Sequence, residues 1–145
     1  MSALHTAKIE FQSYSAGEAF ARSCAACFAA QLDPTLEELG DLKTAVSEAV
    51  TNAVVHAYPS QIGRILMKMR ILEEGVLEIT VKDWGCGIPD VAQAMEPLYT
   101  TGGEERSGMG FSIMACFTDL LRVRSVPGKG TTVVMRKKIA QRAAV

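Results

Sequence analysis

The chain has 145 residues, 48% of them hydrophobic and 21% charged, with 15 basic and 16 acidic side chains and a formal net charge of −1. A chain of this length can bury enough surface to fold without a disulfide or a metal. We therefore expect a single domain over residues 1–145. Its near-neutral charge does not fit a nucleic-acid binder, which is usually strongly basic.

The sequence also favours a cytoplasmic location. No run of 18 apolar residues predicts a membrane span, and the N-terminus lacks the basic and apolar segments of an export signal. We expect no membrane partner and no direct nucleic-acid partner. The four cysteines are unevenly spaced, and in a cytoplasmic protein we expect them to be reduced.

The first part of the chain predicts a strand and a helix. Polar and apolar residues alternate over 8–12, which is typical of a half-buried strand. Ser15 and Glu18 have the spacing of a capping box and predict the start of a helix that ends near Gln31.

A longer helix follows. Thr35 and Glu38 have the spacing of a second capping box. Apolar residues then recur every three or four positions as far as Ala57, which indicates one buried helix face. Tyr58 and Pro59 are expected to end this helix.

The second half predicts two hairpins separated by a long glycine-rich loop. Residues 64–71 and 77–81 alternate and share one apolar face, and 121–123 pairs with 133–135 in a closing hairpin. Between them, 83–110 is long for a structureless loop, which suggests function, and 111–119 looks helical. Residues 140–145 read as a loose tail.

These elements predict an α/β fold. The strands outnumber what simple βαβ alternation would give. We therefore expect a two-layer sandwich, with a mixed β-sheet covered on one face by helices.

Three polar residues recur every four positions on the long helix. Glu48, Asn52 and His56 lie along one side of it, away from the apolar stripe. The amide oxygen of Asn52 could hold a hydrated Mg²⁺, and Glu48 could accept a proton from an attacking hydroxyl. The same spacing also fits an ordinary solvated helix face.

A second cluster follows a predicted strand at residues 83–88. Asp83 at the strand's end could accept a hydrogen bond from an amino group such as that of adenine, while Gly85 and Gly87 would let the backbone approach a flat ring. A simple turn that closes the strand is the alternative.

A third cluster, at residues 106–110, immediately precedes a predicted helix. Free N–H groups at a helix start, with the charge of Arg106, could bind an anion. A flexible hinge is the alternative. The fingerprints of Rossmann and P-loop nucleotide sites do not fit these glycines.

The cysteines suggest neither redox nor zinc chemistry. Cys24 and Cys27 have the spacing of a redox pair but lie inside a predicted helix. There is no second pair to complete a zinc site.

Taken together, the three clusters resemble the GHKL ATP-binding superfamily. Residues 46–53 are similar to its N box, 83–88 to its G1 box and 106–111 to its G2 box, and the resemblance extends over about residues 8–139. Within the superfamily the chain most resembles the sporulation anti-sigma kinases, which phosphorylate serine and also hold a sigma factor.

The resemblance implies roles for individual residues. Glu48 would be the catalytic base, Asn52 the Mg²⁺ ligand and Asp83 the adenine anchor. Residues 100–110 would form an ATP lid. ATP or ADP would be bound by residues of the three boxes, this lid and the last strand: Asn52, Asp83, Gly85, Gly87, Ile88, Thr100, Thr101, Arg106, Ser107, Gly108, Met109, Gly110 and Thr131.

The resemblance also implies partners. Arg22, on the first helix, matches a position that contacts the sigma factor. The protein substrate would be an anti-anti-sigma factor, and the chain would form a homodimer. Two alternatives stay open: a stress-response anti-sigma kinase, and a non-catalytic sigma-binding module whose nucleotide is structural.

Overall fold

The computed structural model describes residues 2–95 and 110–139. Five strands and four helices follow one another along this part of the chain. Their bounds are β1 Ala3–Gln12, α1 Ala16–Ala29, α2 Leu36–Asn52, β2 Arg64–Leu72, β3 Val76–Asp83, α3 Val91–Ala94, α4 Gly110–Cys116, β4 Leu120–Val126 and β5 Gly130–Lys138. Both predicted hairpins are present, and the predicted tail at 140–145 lies outside the described residues.

The strands form one sheet in the order β1-β2-β3-β5-β4. All four pairings are antiparallel, so the predicted two-layer α/β class is confirmed, while the expected mixture of strand directions is absent from the described pairings. The reason is topological: β4 runs parallel to β3 but lies at the sheet edge, because β5 returns between the two strands.

The hydrophobic core lies between the helices and one face of the sheet. Alternate residues of β2 and β3 point into it, from Ile65 to Ile71 and from Leu77 to Val81. Val46, Ala49 and Val50 of α2 are buried against them, as the apolar stripe predicted. In the described part of the chain, no helix combines the length and apolar character that crossing a bilayer would need.

The two predicted capping boxes differ. Thr35 caps α2: its Oγ1 accepts from the N–H of Glu38 at 3.0 Å, and Glu38 Oε1 accepts from the N–H of Thr35 at 2.8 Å. The box predicted at Ser15 is wrong, because Ser15 has helical backbone angles and its side chain makes no capping bond. Glu18 instead accepts a hydrogen bond from Ser47 Oγ of α2.

The long helix changes geometry after Asn52. Residues Ala53–Ala57 form a π-helical turn, and Tyr58 then leaves the helix. Such wide turns are frequent at functional sites. The turn brings the backbone of Ala57 against the loop that follows β3, where the Cys86 N–H donates to the Ala57 carbonyl at 3.0 Å.

Candidate functional site

A cavity of about 740 Å³ opens between α2, the loop after β3, the start of α4 and β5. This volume is in the range of small-molecule sites. The walls combine apolar residues with a few polar ones and include Glu48, Asn52, His56, Asp83, Cys86, Gly87, Ile88, Gly110, Phe111, Thr131 and Val133. Residues from all three sequence clusters therefore meet around one space.

The α2 side of the cavity carries the acidic and amide groups. A methyl group placed on Gly110 would lie 3.3 Å from Glu48 Oε2 and 3.3 Å from Asn52 Oδ1. Both side chains therefore end beside the first residue of α4. Only a residue without a side chain leaves that space open.

Asp83 forms the buried polar end of the cavity, with 6% of its surface exposed. Its Oδ1 accepts from the Gly85 N–H at 3.0 Å and from the Thr131 N–H at 3.2 Å. Burial raises the pKa of this carboxyl above its ordinary value, while the two hydrogen bonds act in the opposite direction. The two donors fix the carboxylate plane between the loop and β5.

Two glycines shape the loop after β3. A methyl group on Gly85 would lie 2.3 Å from the Ala57 carbonyl oxygen, so this residue packs behind the cavity and is not among its lining residues. Gly87 has a φ of +77°, a left-handed conformation that favours glycine. Its backbone faces the 740 Å³ cavity.

Ser125 of β4 was not singled out from the sequence. Its Oγ accepts from the Ile88 N–H at 2.7 Å and lies 2.8 Å from Thr131 Oγ1. The serine thereby ties the loop after β3 to the closing hairpin. No local sequence signal marks it, because it lies 37 residues from Ile88 along the chain.

The role of Tyr58 in positioning the loop after β3 was also not predicted from the sequence. Its buried hydroxyl donates to the Arg64 carbonyl at 2.7 Å and accepts from the Trp84 N–H at 2.7 Å. Tyr58 therefore holds the backbone immediately after Asp83. The sequence marks it only as the end of the long helix.

The remaining predicted residues fall into two groups. Arg22 does not line the cavity; it lies on α1, 3.3 Å from Glu18, which bonds Ser47 beside Glu48. The second group lies outside the described residues and comprises Thr100, Thr101, Arg106, Ser107, Gly108 and Met109.

The donor set fits a magnesium ion. Mg²⁺ prefers oxygen ligands and usually keeps several waters, so one or two protein oxygens suffice. Asn52 Oδ1 offers such an oxygen at the cavity wall, and the carboxylate of Glu48 lies on the same wall.

Comparison with known proteins shows the family and the fold. Residues 14–137 match the family described as a histidine kinase-like ATPase domain. Among solved structures, the RsbU and RsbW domains of Rv1364c from Mycobacterium tuberculosis share the fold, with a TM-score of 0.69 at 18% identity over 96% of this chain and 33% of that one.

Relatives with higher sequence identity are anti-sigma F factors. The anti-sigma F factor of Pasteuria penetrans is 57% identical, over 91% of this chain and 89% of its own length. That of Caldanaerobacter subterraneus is 54% identical, over 92% of this chain and 94% of its own length. The chain therefore belongs to the family of anti-sigma F factors, within the histidine kinase-like ATPase domains.

Proposed function

We propose that this chain is an anti-sigma factor that binds sigma F and that uses Mg·ATP to phosphorylate a serine of an anti-anti-sigma factor. The observation that carries the proposal is the meeting of Glu48, Asn52 and Asp83 around one cavity. Family membership supports the anti-sigma and ATPase parts of the proposal.

Asp83 and Thr131 would recognise the base. The ionised carboxylate of Asp83 accepts a hydrogen bond from the amino group of adenine, while its Oδ1 stays fixed by two backbone N–H groups. Gly87 and Ile88 line the same end of the cavity. The phosphates would extend toward Asn52 and Gly110.

Glu48 would act on the protein substrate. Its carboxylate accepts the proton of the serine hydroxyl as the serine oxygen bonds to the terminal phosphorus and the bond to the bridging oxygen of ADP breaks. Asn52 would hold the Mg²⁺ with its amide oxygen, and the ion, when bound, neutralises charge on the phosphates.

Arg22 would contribute to sigma-factor binding. It lies on α1, outside the nucleotide cavity, and its side chain is 42% exposed. The ion pair with Glu18 holds its guanidinium near the start of α1. We further propose that the chain acts in the cytoplasm, as a homodimer of single-domain subunits.

Glu48→Gln tests the catalytic part of the proposal. The variant keeps its size and hydrogen-bonding capacity but loses the base, so we expect ATP affinity within about threefold of the parent and phosphoryl transfer reduced by at least about a hundredfold. The measurement is transfer of labelled phosphate from ATP to the anti-anti-sigma factor, beside ATP binding by calorimetry. Glu37→Gln makes the same change in the first turn of α2 and should leave both unchanged.

Two results would reject the proposal. Equal transfer rates in Glu48→Gln and the parent chain would remove Glu48 as the base. ATP binding without transfer in the parent chain would instead favour the non-catalytic sigma-binding module.

A further inference from the structure

The sheet face that points away from the helices is strongly basic. Outward positions on the five strands carry nine of the chain's 15 basic side chains and two of its 16 acidic ones. The formal charge of −1 therefore hides an uneven distribution of charge, because this face is basic and the rest of the chain is acidic. The core and all four described helices lie on the opposite face.

Within the described part of the chain, most of these cations have no carboxylate partner. Arg64 pairs with Glu10, and Arg70 and Arg136 pair with Glu78. For the other six, no carboxylate of a described residue lies within 4 Å of the side-chain nitrogens, although the backbone N–H of the last one donates to Asp119; these six are Lys8, Lys68, Lys82, Arg122, Arg124 and Lys138.

One pair of cations on this face destabilises the sheet by electrostatic repulsion. Lys8 and Lys68 stand directly opposite each other in the β1–β2 register. Like charges in this position destabilise a sheet. An external anionic surface would relieve that repulsion.

The centre of the face favours a protein over a nucleic acid. Glu78 holds the guanidinium groups of Arg70 and Arg136 at 2.7–2.9 Å, so these two central cations are already bonded to a carboxylate. Leu66 and Val134 lie half-buried on the same face, on either side of β3. A partly apolar centre with a charged rim is typical of protein interfaces.

We infer that this basic sheet face docks a partner protein whose surface carries carboxylates interspersed with apolar side chains. The carboxylates would pair with Lys8, Lys68, Lys82 and the β4 arginines, and the apolar groups would cover Leu66 and Val134. A second copy of the chain does not suit the same face, since two such faces would repel each other.

Lys68→Glu is the test variant. Its new carboxylate stands opposite Lys8, so the substitution relieves the like-charge pair and should not lower the melting temperature. Lys43→Glu makes the same charge change at an exposed position on α2, in the other layer, and is the matched control.

The probes are three labelled ligands of equal negative charge: a peptide of glutamates with interspersed leucines, a peptide of glutamates and serines, and a single-stranded oligothymidylate. Fluorescence anisotropy at low and physiological salt measures their affinities. We expect the leucine-containing peptide to bind best, Lys68→Glu to weaken it about tenfold, and Lys43→Glu to leave it within about twofold.

Three results would overturn the inference. The first is tighter binding of the oligothymidylate than of either peptide. The second is an equal loss in Lys43→Glu and Lys68→Glu, which would reflect net charge alone. The third is sedimentation showing that Lys68→Glu disrupts a dimer of the parent chain, which would make the face a contact between copies.

Discussion

Asp83 illustrates at the residue scale how a carboxylate proposed to bind a ligand opposes stability. The carboxylate is buried, and burial raises its pKa. A raised folded-state pKa means that the protonated form is favoured in the folded chain. The stabilisation this provides is complete below the ordinary pKa of about 3.9 and is lost as the pH rises through the folded-state value. At neutral pH the ionised group therefore costs stability, and we propose that it serves the nucleotide instead.

Asp83→Asn should separate these two effects. The amide oxygen can still accept from Gly85 and Thr131, but its NH₂ group then opposes the amino group of adenine. We expect ATP affinity to fall about 10- to 100-fold, in line with about 1.5–3 kcal/mol for a hydrogen bond to a charged group. Without nucleotide, the melting temperature at pH 7 should be equal to or above that of the parent chain.

The pH dependence provides a check. The free energy of unfolding of the parent, relative to Asp83→Asn, should decrease as the pH rises from about 4 toward neutrality. Asp119→Asn, a change at an exposed position outside the cavity wall, is the control and should keep ATP affinity unchanged. Unaltered ATP binding by Asp83→Asn would remove the adenine assignment.

The residues that the sequence could and could not identify differ in how they act. Asp83 and Gly87 belong to a short local motif, so their chemistry could be predicted from neighbouring residues in the sequence. Tyr58 and Ser125 act through hydroxyls that meet backbone groups 26 and 37 residues away. Those partners are set by tertiary packing, so no local pattern could have marked either residue.

The two helix starts show at the element scale why one spacing gives two outcomes. Thr35 has an extended backbone at the N-cap, which lets its hydroxyl reach the N–H of Glu38. Ser15 already has helical angles, and Glu18 is engaged by Ser47 and Arg22. The spacing of a capping box in the sequence does not predict these tertiary contacts.

Thr35→Ala and Ser15→Ala form a matched pair of tests. Removing the Thr35 hydroxyl leaves a helix N–H of α2 without its cap, so we expect a loss of about 1 kcal/mol in the free energy of unfolding. Ser15→Ala removes no capping bond and should change it by less than about 0.5 kcal/mol. Urea denaturation measures both values, and equal losses would contradict the assignment of the caps.

At the scale of the whole molecule, the layer arrangement was predictable because the apolar periodicity of α2 and of both hairpins all point to one core. The relative direction of the strands was not predictable, because apolar periodicity does not indicate that β5 lies between β3 and β4 in the sheet. The net charge also concealed the contrast between the two faces, since opposite charges on different surfaces cancel in a sum.

Glu78 links β2, β3 and β5 on the open face of the sheet. Its two oxygens accept from Arg70 and Arg136 at 2.7 and 2.9 Å. Burial alone would raise the pKa of Glu78, but the hydrogen bonds and charges of the two arginines lower it below its ordinary value. A lowered folded-state pKa stabilises the chain above the ordinary value of about 4.3, and this stabilisation is lost as the pH falls through the folded-state value.

Glu78→Gln should therefore destabilise the chain in a pH-dependent way. We expect a loss of about 2 kcal/mol in the free energy of unfolding at pH 7, because two charge-assisted contacts are weakened while both arginines keep access to water. The difference from the parent should shrink as the pH falls below about 4 and Glu78 becomes neutral. Glu10→Gln, which affects a half-exposed ion pair 3.4 Å long, is the control and should cost at most about 1 kcal/mol. Denaturant titrations of the parent and the two variants between acid and neutral pH measure these differences. If the loss in the free energy of unfolding caused by Glu78→Gln stayed constant with pH, the glutamate would act by shape rather than by charge.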